Sequence, residues 1–117
     1  MNEHEKLNYV EFGSNNLEAT KAFFTTVFHW SFTDYGPDYI AFNNQGLEGG
    51  FFYSTQPARQ ENGSALLVFY SNKLELTQTK IEQNQGIICK AVFDFPGGRR
   101  FHFIEPGGNE FAVWSDH

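Results

Sequence analysis

The chain holds a single cysteine, and only eight Lys and Arg residues stand against 14 Asp and Glu among its 117 residues. One cysteine excludes an internal disulfide and any zinc site built on several thiolates. Cys89 lies in the apolar run Ile87-Ile88-Cys89, which predicts a buried, inert thiol, since a reactive thiolate needs an accessible, electropositive setting. A formal charge of -6 repels phosphate backbones, and the one basic cluster, Arg99-Arg100, is too small for a nucleic-acid footprint. Long hydrophobic runs are missing too. No stretch approaches the roughly 20 apolar residues of a membrane span, so no membrane partner is expected. The start, Met1-Asn2-Glu3-His4-Glu5-Lys6, is acidic and no apolar segment follows, unlike a secretory leader, so a cytoplasmic setting is expected.

What the chain has in excess is aromatic: 14 Phe, five Tyr and two Trp. The length suits one domain with a real core. Within it the sequence repeats. Tyr9-Val10-Glu11-Phe12-Gly13-Ser14-Asn15-Asn16-Leu17-Glu18-Ala19-Thr20 shares Phe, Ser, Asn, Leu, Glu and Thr, at a fixed offset, with Leu66-Leu67-Val68-Phe69-Tyr70-Ser71-Asn72-Lys73-Leu74-Glu75-Leu76-Thr77. Each copy reads as a strand running into a helix, with Asn15 and Asn72 as N-caps and Glu18 and Glu75 three residues on. Leu17, Phe24, Val27 and Phe28 form the apolar stripe of the first helix, and Leu74, Thr77 and Ile81 that of the second, which Gly86 ends.

The tails of the halves align as well. Residues 39–42 correspond to 100–103, a loop of equal length follows, and 51–54 meet 112–115; residues 31–33 and 87–93 supply the strands between. Each half reads β-α-β-β-β, with module 1 at about 5–55, a polar linker at 56–64 holding Pro57 and Gly63, and module 2 at about 65–117. One half cannot cover both its helix and its sheet. The expected fold is therefore α+β: two tandem βαβββ modules forming a curved mixed sheet, a cup with the helices on its convex side and a ligand site in its concavity.

These residues resemble the vicinal oxygen chelate superfamily, which includes glyoxalase I, bleomycin-resistance proteins and extradiol dioxygenases, in its glyoxalase-related single-domain branch. The resemblance spans nearly the whole chain. It is carried by Tyr9-Val10-Glu11-Phe12 through Asn16 to Phe24, by Val27-Phe28-His29-Trp30 with His29 where Gly is usual, and by Phe103-Ile104-Glu105-Pro106-Gly107-Gly108-Asn109, where Glu105 replaces an Asp. The pair Gly49-Gly50 is similar to the same branch. The resemblance implies small-molecule binding, homodimers, and in many members a divalent ion held by two residues from each half. The matching positions here are Tyr9, Phe51, Leu66 and Ala112, or Glu48 instead of Phe51 after a short loop shift. Phe, Leu and Ala supply no donor, so no metal or other cofactor is expected. A non-standard set, Glu11, His102 and Glu110, stays open as an alternative.

Alternation along the strands turns Tyr9, Glu11, Tyr39, Phe51, Tyr53, Leu66, Val68, Arg100, His102 and Trp114 into the cup. Such a lining suits a planar aromatic ligand by stacking. The acidic field favours a cationic one, while Arg100 offers a fork for a carboxylate. The expected function is a binding protein whose ligand contacts are Tyr9, Tyr39, Phe51, Tyr53, Val68, Arg100 and Trp114. The alternative is a glyoxalase-related lyase or isomerase with His102 and Glu11 as a catalytic acid/base pair. A pure interaction domain is a third reading, supported if Phe32 and Phe52 are exposed.

Overall fold

Two copies of one strand-helix-strand-strand-strand run make up residues 2–117, the part of the chain described by the computed structural model. The first copy is β1 (Tyr9–Ser14), α1 (Leu17–Phe28), β2 (Phe32–Asp34), β3 (Tyr39–Gln45) and β4 (Leu47–Tyr53). The second is β5 (Leu67–Tyr70), α2 (Leu74–Gln83), β6 (Ile87–Phe95), β7 (Gly98–Ile104) and β8 (Glu110–Ser115), reached through a 3-10 turn at Gln60–Asn62. Each copy forms a four-stranded mixed sheet, ordered β1-β4-β3-β2 and β5-β8-β7-β6. In both, the first strand lies parallel to the last and the other pairings are antiparallel.

The repeat extends to hydrogen bonds. Ser14 Oγ accepts the Asn16 N–H and pairs with Thr20 Oγ1 at 2.7 Å; Ser71 Oγ accepts the Lys73 N–H and pairs with Thr77 Oγ1 at 2.7 Å. These serine brackets move the helix caps one residue past the expected Asn15 and Asn72. Asn16 is the cap of α1, extended in backbone, and its side chain accepts the Ala19 N–H at 3.0 Å. Lys73 caps α2 and supplies no acceptor. The C-termini also agree. His29 and Gln85 both take left-handed backbone, at φ 61 and 76. Gly86 lies beyond the cap rather than at it: its N–H reaches Ile81 O at 2.9 Å, and any Cβ there would run into the Ile81 side chain.

Both helices pack on the same side of the sheets, and the phenylalanines join the halves into one core. Phe12 of β1 lies 5.1 Å from Phe111 of β8, and Phe28 of α1 stacks on Phe69 of β5 at 4.4 Å with an interplanar angle of 3°. Phe24, wholly buried, stacks on Trp30 at 4.5 Å. Such ring pairs add about 0.5–1.5 kcal/mol each beyond the area they bury.

A second join is polar. Glu105, 1% exposed, accepts from Thr20 Oγ1 at 2.8 Å, Gly107 N–H at 2.6 Å and Asn109 Nδ2 at 2.7 Å. Asn15 N–H reaches Gly107 O, and Asn109 Oδ1 accepts the Ala58 N–H. The turn between β7 and β8 thereby fastens the start of α1 and the linker to module 2. A side chain at Gly107 would collide with both Thr20 and Ser14. Burial pushes the Glu105 carboxyl up, against the pull of these donors.

Candidate functional site: the two helix-free sheet faces

Alternation along β1 sends Val10, Phe12 and Ser14 toward the helices and Tyr9 and Glu11 away from them. The pairing of β1 with β4 places Glu48 beside Tyr9 and Gly50 beside Glu11, and that of β3 with β4 places Tyr39 beside Phe52. The helix-free face of module 1 thus carries Tyr9, Glu11, Tyr39, Glu48 and Phe52. The Tyr39 ring lies across Gly50, where a Cβ would collide with it. Its hydroxyl donates to Glu11 Oε2 at 2.9 Å and shares a 2.6 Å bond with the Tyr9 hydroxyl. Desolvation, then these two bonds, push the Tyr39 phenol well above the usual tyrosine range.

Two expected ligand contacts are not on this face. Phe51 pairs with Phe12 and is fully buried in the core, and Tyr53, two residues on, shares its side of the sheet. The cause is one residue of loop. Phe42 of β3 pairs with Gly49 of β4 across six residues, whereas its counterpart Phe103 of β7 pairs with Phe111 of β8 across seven. The loops are therefore unequal, and the residue equivalent to Ala112 is Gly50, with Glu48 equivalent to Glu110. A slip of one residue exchanges the two faces of a strand.

The helix-free face of module 2 comes from four strands. Val68 lies beside Ala112, Ala112 beside His102, and His102 beside Lys90; one step along, Tyr70, Trp114, Arg100 and Phe93 form the parallel row. Leu66 falls just before β5 and is half-buried. Trp114 meets Tyr70 at 5.1 Å and Phe95 at 6.1 Å, both edge-on. The Arg100 guanidinium lies 5.2 Å from the Phe93 ring and 5.7 Å from Phe95, and Lys90 Nζ lies 4.8 Å from Phe93.

His102 is 1% exposed, and its Nδ1 lies 2.9 Å from Glu110 Oε2; Glu110 Oε1 accepts the Gln60 N–H at 3.0 Å. Burial pushes the Glu110 carboxyl up, but the bonds from His102 and Gln60 outweigh it and hold the carboxyl below the usual glutamate range. Glu110 is thus an ionised acceptor, which assigns the Nδ1 proton to His102. Glu11 is engaged by Tyr39 on the other sheet, so the expected His102–Glu11 pair does not form; the partner of His102 is Glu110. Two buried polar atoms on this face, Arg100 Nε and His102 Nε2, have no hydrogen-bond partner among the described residues.

Cys89 is exposed rather than buried, since it sits on the edge strand β6. Desolvation, then the Glu110 charge, push its thiol up, which agrees with an unreactive group. Among the described residues no three His, Cys, Asp or Glu side chains converge as metal ligands would. Glu11, His102 and Glu110 therefore do not make a donor set. Phe52 is exposed and Phe32 half-buried. Sequence reading missed Tyr70, Lys90, Phe93 and Phe95 on the module 2 face and left Glu48 and Phe52 out of the module 1 lining; the alternations Val68-Phe69-Tyr70 and Phe93-Asp94-Phe95 were the available signals. A cavity of about 240 Å³ lies at the module junction, lined by Val10, Phe12, Trp30, Phe42, Leu47 and Phe69 and by one of the expected ligand contacts, Val68.

Residues 6–113 match the family model described as the Glyoxalase/Bleomycin resistance protein/Dioxygenase superfamily. A search of curated proteins returned no match. Among solved structures, the chain is similar to a glyoxalase-related enzyme from Fulvimarina pelagi, with a TM-score of 0.77 at 17% identity over 95% of this chain and 88% of the other. A glyoxalase/bleomycin resistance protein/dioxygenase family enzyme from Burkholderia phytofirmans PsJN gives a TM-score of 0.77 at 15% identity, covering 96% and 99%. Lactoylglutathione lyase from Agrobacterium tumefaciens gives 0.70 at 17% identity, covering 95% and 93%. At these identities the likeness is one of fold.

Proposed function

The chain belongs to the Glyoxalase/Bleomycin resistance protein/Dioxygenase superfamily, and we propose that within it the protein binds a small planar molecule against its helix-free sheet faces without a divalent metal. The observation that carries this reading is the outward-facing aromatic row Tyr70, Trp114 and Phe95, continued by Arg100 over Phe93. Aromatic walls with a few placed polar groups are the composition of small-molecule sites. The positions equivalent to the family's metal ligands hold Tyr9, Gly50, Leu66 and Ala112. A phenol and three groups without a donor do not fit a Zn, Ni, Fe or Mn ion, which needs three or four converging N, O or S atoms.

The same faces support a homodimer. Tyr9 and Val68 are each 45% exposed and Tyr70 is 50% exposed, surface that a second copy would cover. The faces also differ in sign: Glu11 and Glu48 on module 1, Lys90 and Arg100 on module 2. A two-fold pairing that sets module 1 of one copy on module 2 of the other matches these charges and encloses a ligand between them. The cytoplasmic setting expected from the sequence belongs to the same proposal.

A test is an amide and indole NMR titration with a panel of planar aromatic compounds of each charge type. The expected result is a set of shifts confined to Tyr9, Tyr39, Val68, Arg100 and Trp114. A panel without a binder, or shifts centred on the helices, would overturn the reading.

A further inference from the structure

We propose that Arg100 and His102 hold the carboxyl group of a planar aromatic acid, the apolar body of which lies on Phe95 and Trp114. The inference rests on the reading that the module 2 face takes a planar ligand, and it names the chemistry of that ligand.

Two buried orphans carry it. A buried polar atom without a partner costs about 1–3 kcal/mol, and native structures keep few of them. Here two occur two residues apart on one face of β7: Arg100 Nε and His102 Nε2. Both side chains converge on Phe93, the His102 ring at 5.9 Å and the Arg100 guanidinium at 5.2 Å. Their hydrogen-bond characters are complementary. Arg100 Nε–H is a donor. With Nδ1–H committed to Glu110, His102 Nε2 is an acceptor in the neutral ring. A carboxylate that binds together with one proton from solution satisfies both: one oxygen accepts the Arg100 N–H, and the other is joined to Nε2 through the added proton.

A primary amide has the same donor and acceptor pattern, so charge must choose between them. Around the two orphans stand Lys90 and Arg100 on the positive side and Glu110 on the negative side. Glu110 is already matched by His102 and the Gln60 N–H. A local cationic excess inside a chain of charge -6 favours the acid over the amide, and disfavours a cation.

Entry comes from the sheet edge. β6 is the outer strand, and its pairing with β7 shifts on both sides of Lys90, between Ile88 and Lys90 and between Lys90 and Phe93. Phe93, half-buried over His102, is the side chain that must swing aside to admit the carboxyl.

The test compares 2-naphthoate, 2-naphthamide and 2-naphthylmethylammonium, one ring system with three charges, by calorimetric titration of the intact chain. Naphthoate should bind about tenfold tighter than the amide, with the ammonium weakest, on the scale of a charge-assisted bond over a neutral one. Arg100→Gln should weaken naphthoate about tenfold or more while changing the amide by less than about threefold. Because His102→Gln removes a buried side chain and can compromise folding, the second readout uses the unaltered protein: the Nε2 nitrogen resonance of His102 should move with naphthoate. Equal affinity for acid and amide, or naphthoate affinity unchanged in Arg100→Gln, or a still Nε2 resonance, overturns the carboxyl assignment and leaves aromatic binding intact. Failure of all three compounds to bind overturns both readings.

Discussion

The two modules share strand order, a serine bracket at each helix start and left-handed backbone at each helix end, yet their helix-free faces have diverged. On module 1 the polar groups satisfy one another: Tyr9, Tyr39 and Glu11 form a closed set of hydroxyl and carboxylate bonds. On module 2 they do not, and two buried nitrogens remain open. The difference shows how duplication separates framework from function. Positions that point at the helices must keep their shape, because both halves bury them in one core, whereas positions that point away are free to change sign and chemistry.

The sharpest way to test that division is at neighbouring residues of β4. Phe51→Ala should cost about 3–5 kcal/mol by urea denaturation, the range for a buried phenylalanine, while Phe52→Ala should cost less than about 1 kcal/mol, as at exposed sites. Similar losses at both would mean that the register of β4 is not the one described.

The equivalent threonines compare the helix starts. Thr20 bonds both Ser14 and the buried Glu105, whereas Thr77 bonds Ser71 alone. Thr20→Val should therefore cost about 2 kcal/mol and Thr77→Val about 1 kcal/mol, from the net worth of one buried hydrogen bond and the extra penalty for a stranded carboxylate. Equal costs would remove the Glu105 turn as a feature that distinguishes the halves.

Glu110 has a folded-state pKa held below its ordinary value, so the stability it contributes is present above about pH 4.5 and is lost as pH falls through the folded value. Glu110→Gln should cost about 1–2 kcal/mol at pH 7, on the scale of hydrogen bonds to a charged group, and little once the carboxyl of the unsubstituted protein is protonated. Its counterpart Glu48 lacks a histidine beside it, and Glu48→Gln should cost less than about 0.5 kcal/mol, as at surface sites. Smallest are the helix ends. His29→Gly and Gln85→Gly should each stabilise by about 0.5–1 kcal/mol, because a left-handed residue costs about 1–2 kcal/mol when it carries a Cβ and glycine returns part of that through its flexibility when unfolded.

Much of this was legible in the residues themselves. The repeat of Phe, Ser, Asn, Leu, Glu and Thr predicted two βαβββ halves, and the stripe Leu74, Thr77 and Ile81 is the buried face of α2. The placement of Phe51 was not legible, because a loop one residue shorter leaves the local pattern unchanged while reversing which side chains face the core. The caps fell one residue late for a similar reason: Ser14 and Ser71 compete for the first helical N–H groups. The placement of Tyr9, Tyr39, Val68, Arg100, His102 and Trp114 on the helix-free faces was recognisable by alternation along the duplicated strands. The pairing of His102 with Glu110 was within reach of the sequence, because β7 and β8 are consecutive antiparallel strands and the two residues lie eight apart; what no spacing along the chain encodes is that Glu11, on the other sheet, is taken by Tyr39.

The account's central claim is ligand binding on the aromatic faces without a metal. Its most direct test is to measure the metal content of the purified protein and then the affinity for an aromatic ligand after exhaustive chelation and after adding one equivalent of Zn, Ni, Mn or Fe. The account predicts substoichiometric metal and an affinity unchanged by either treatment. One tightly held ion per chain, with binding lost on chelation and restored by metal, would contradict it.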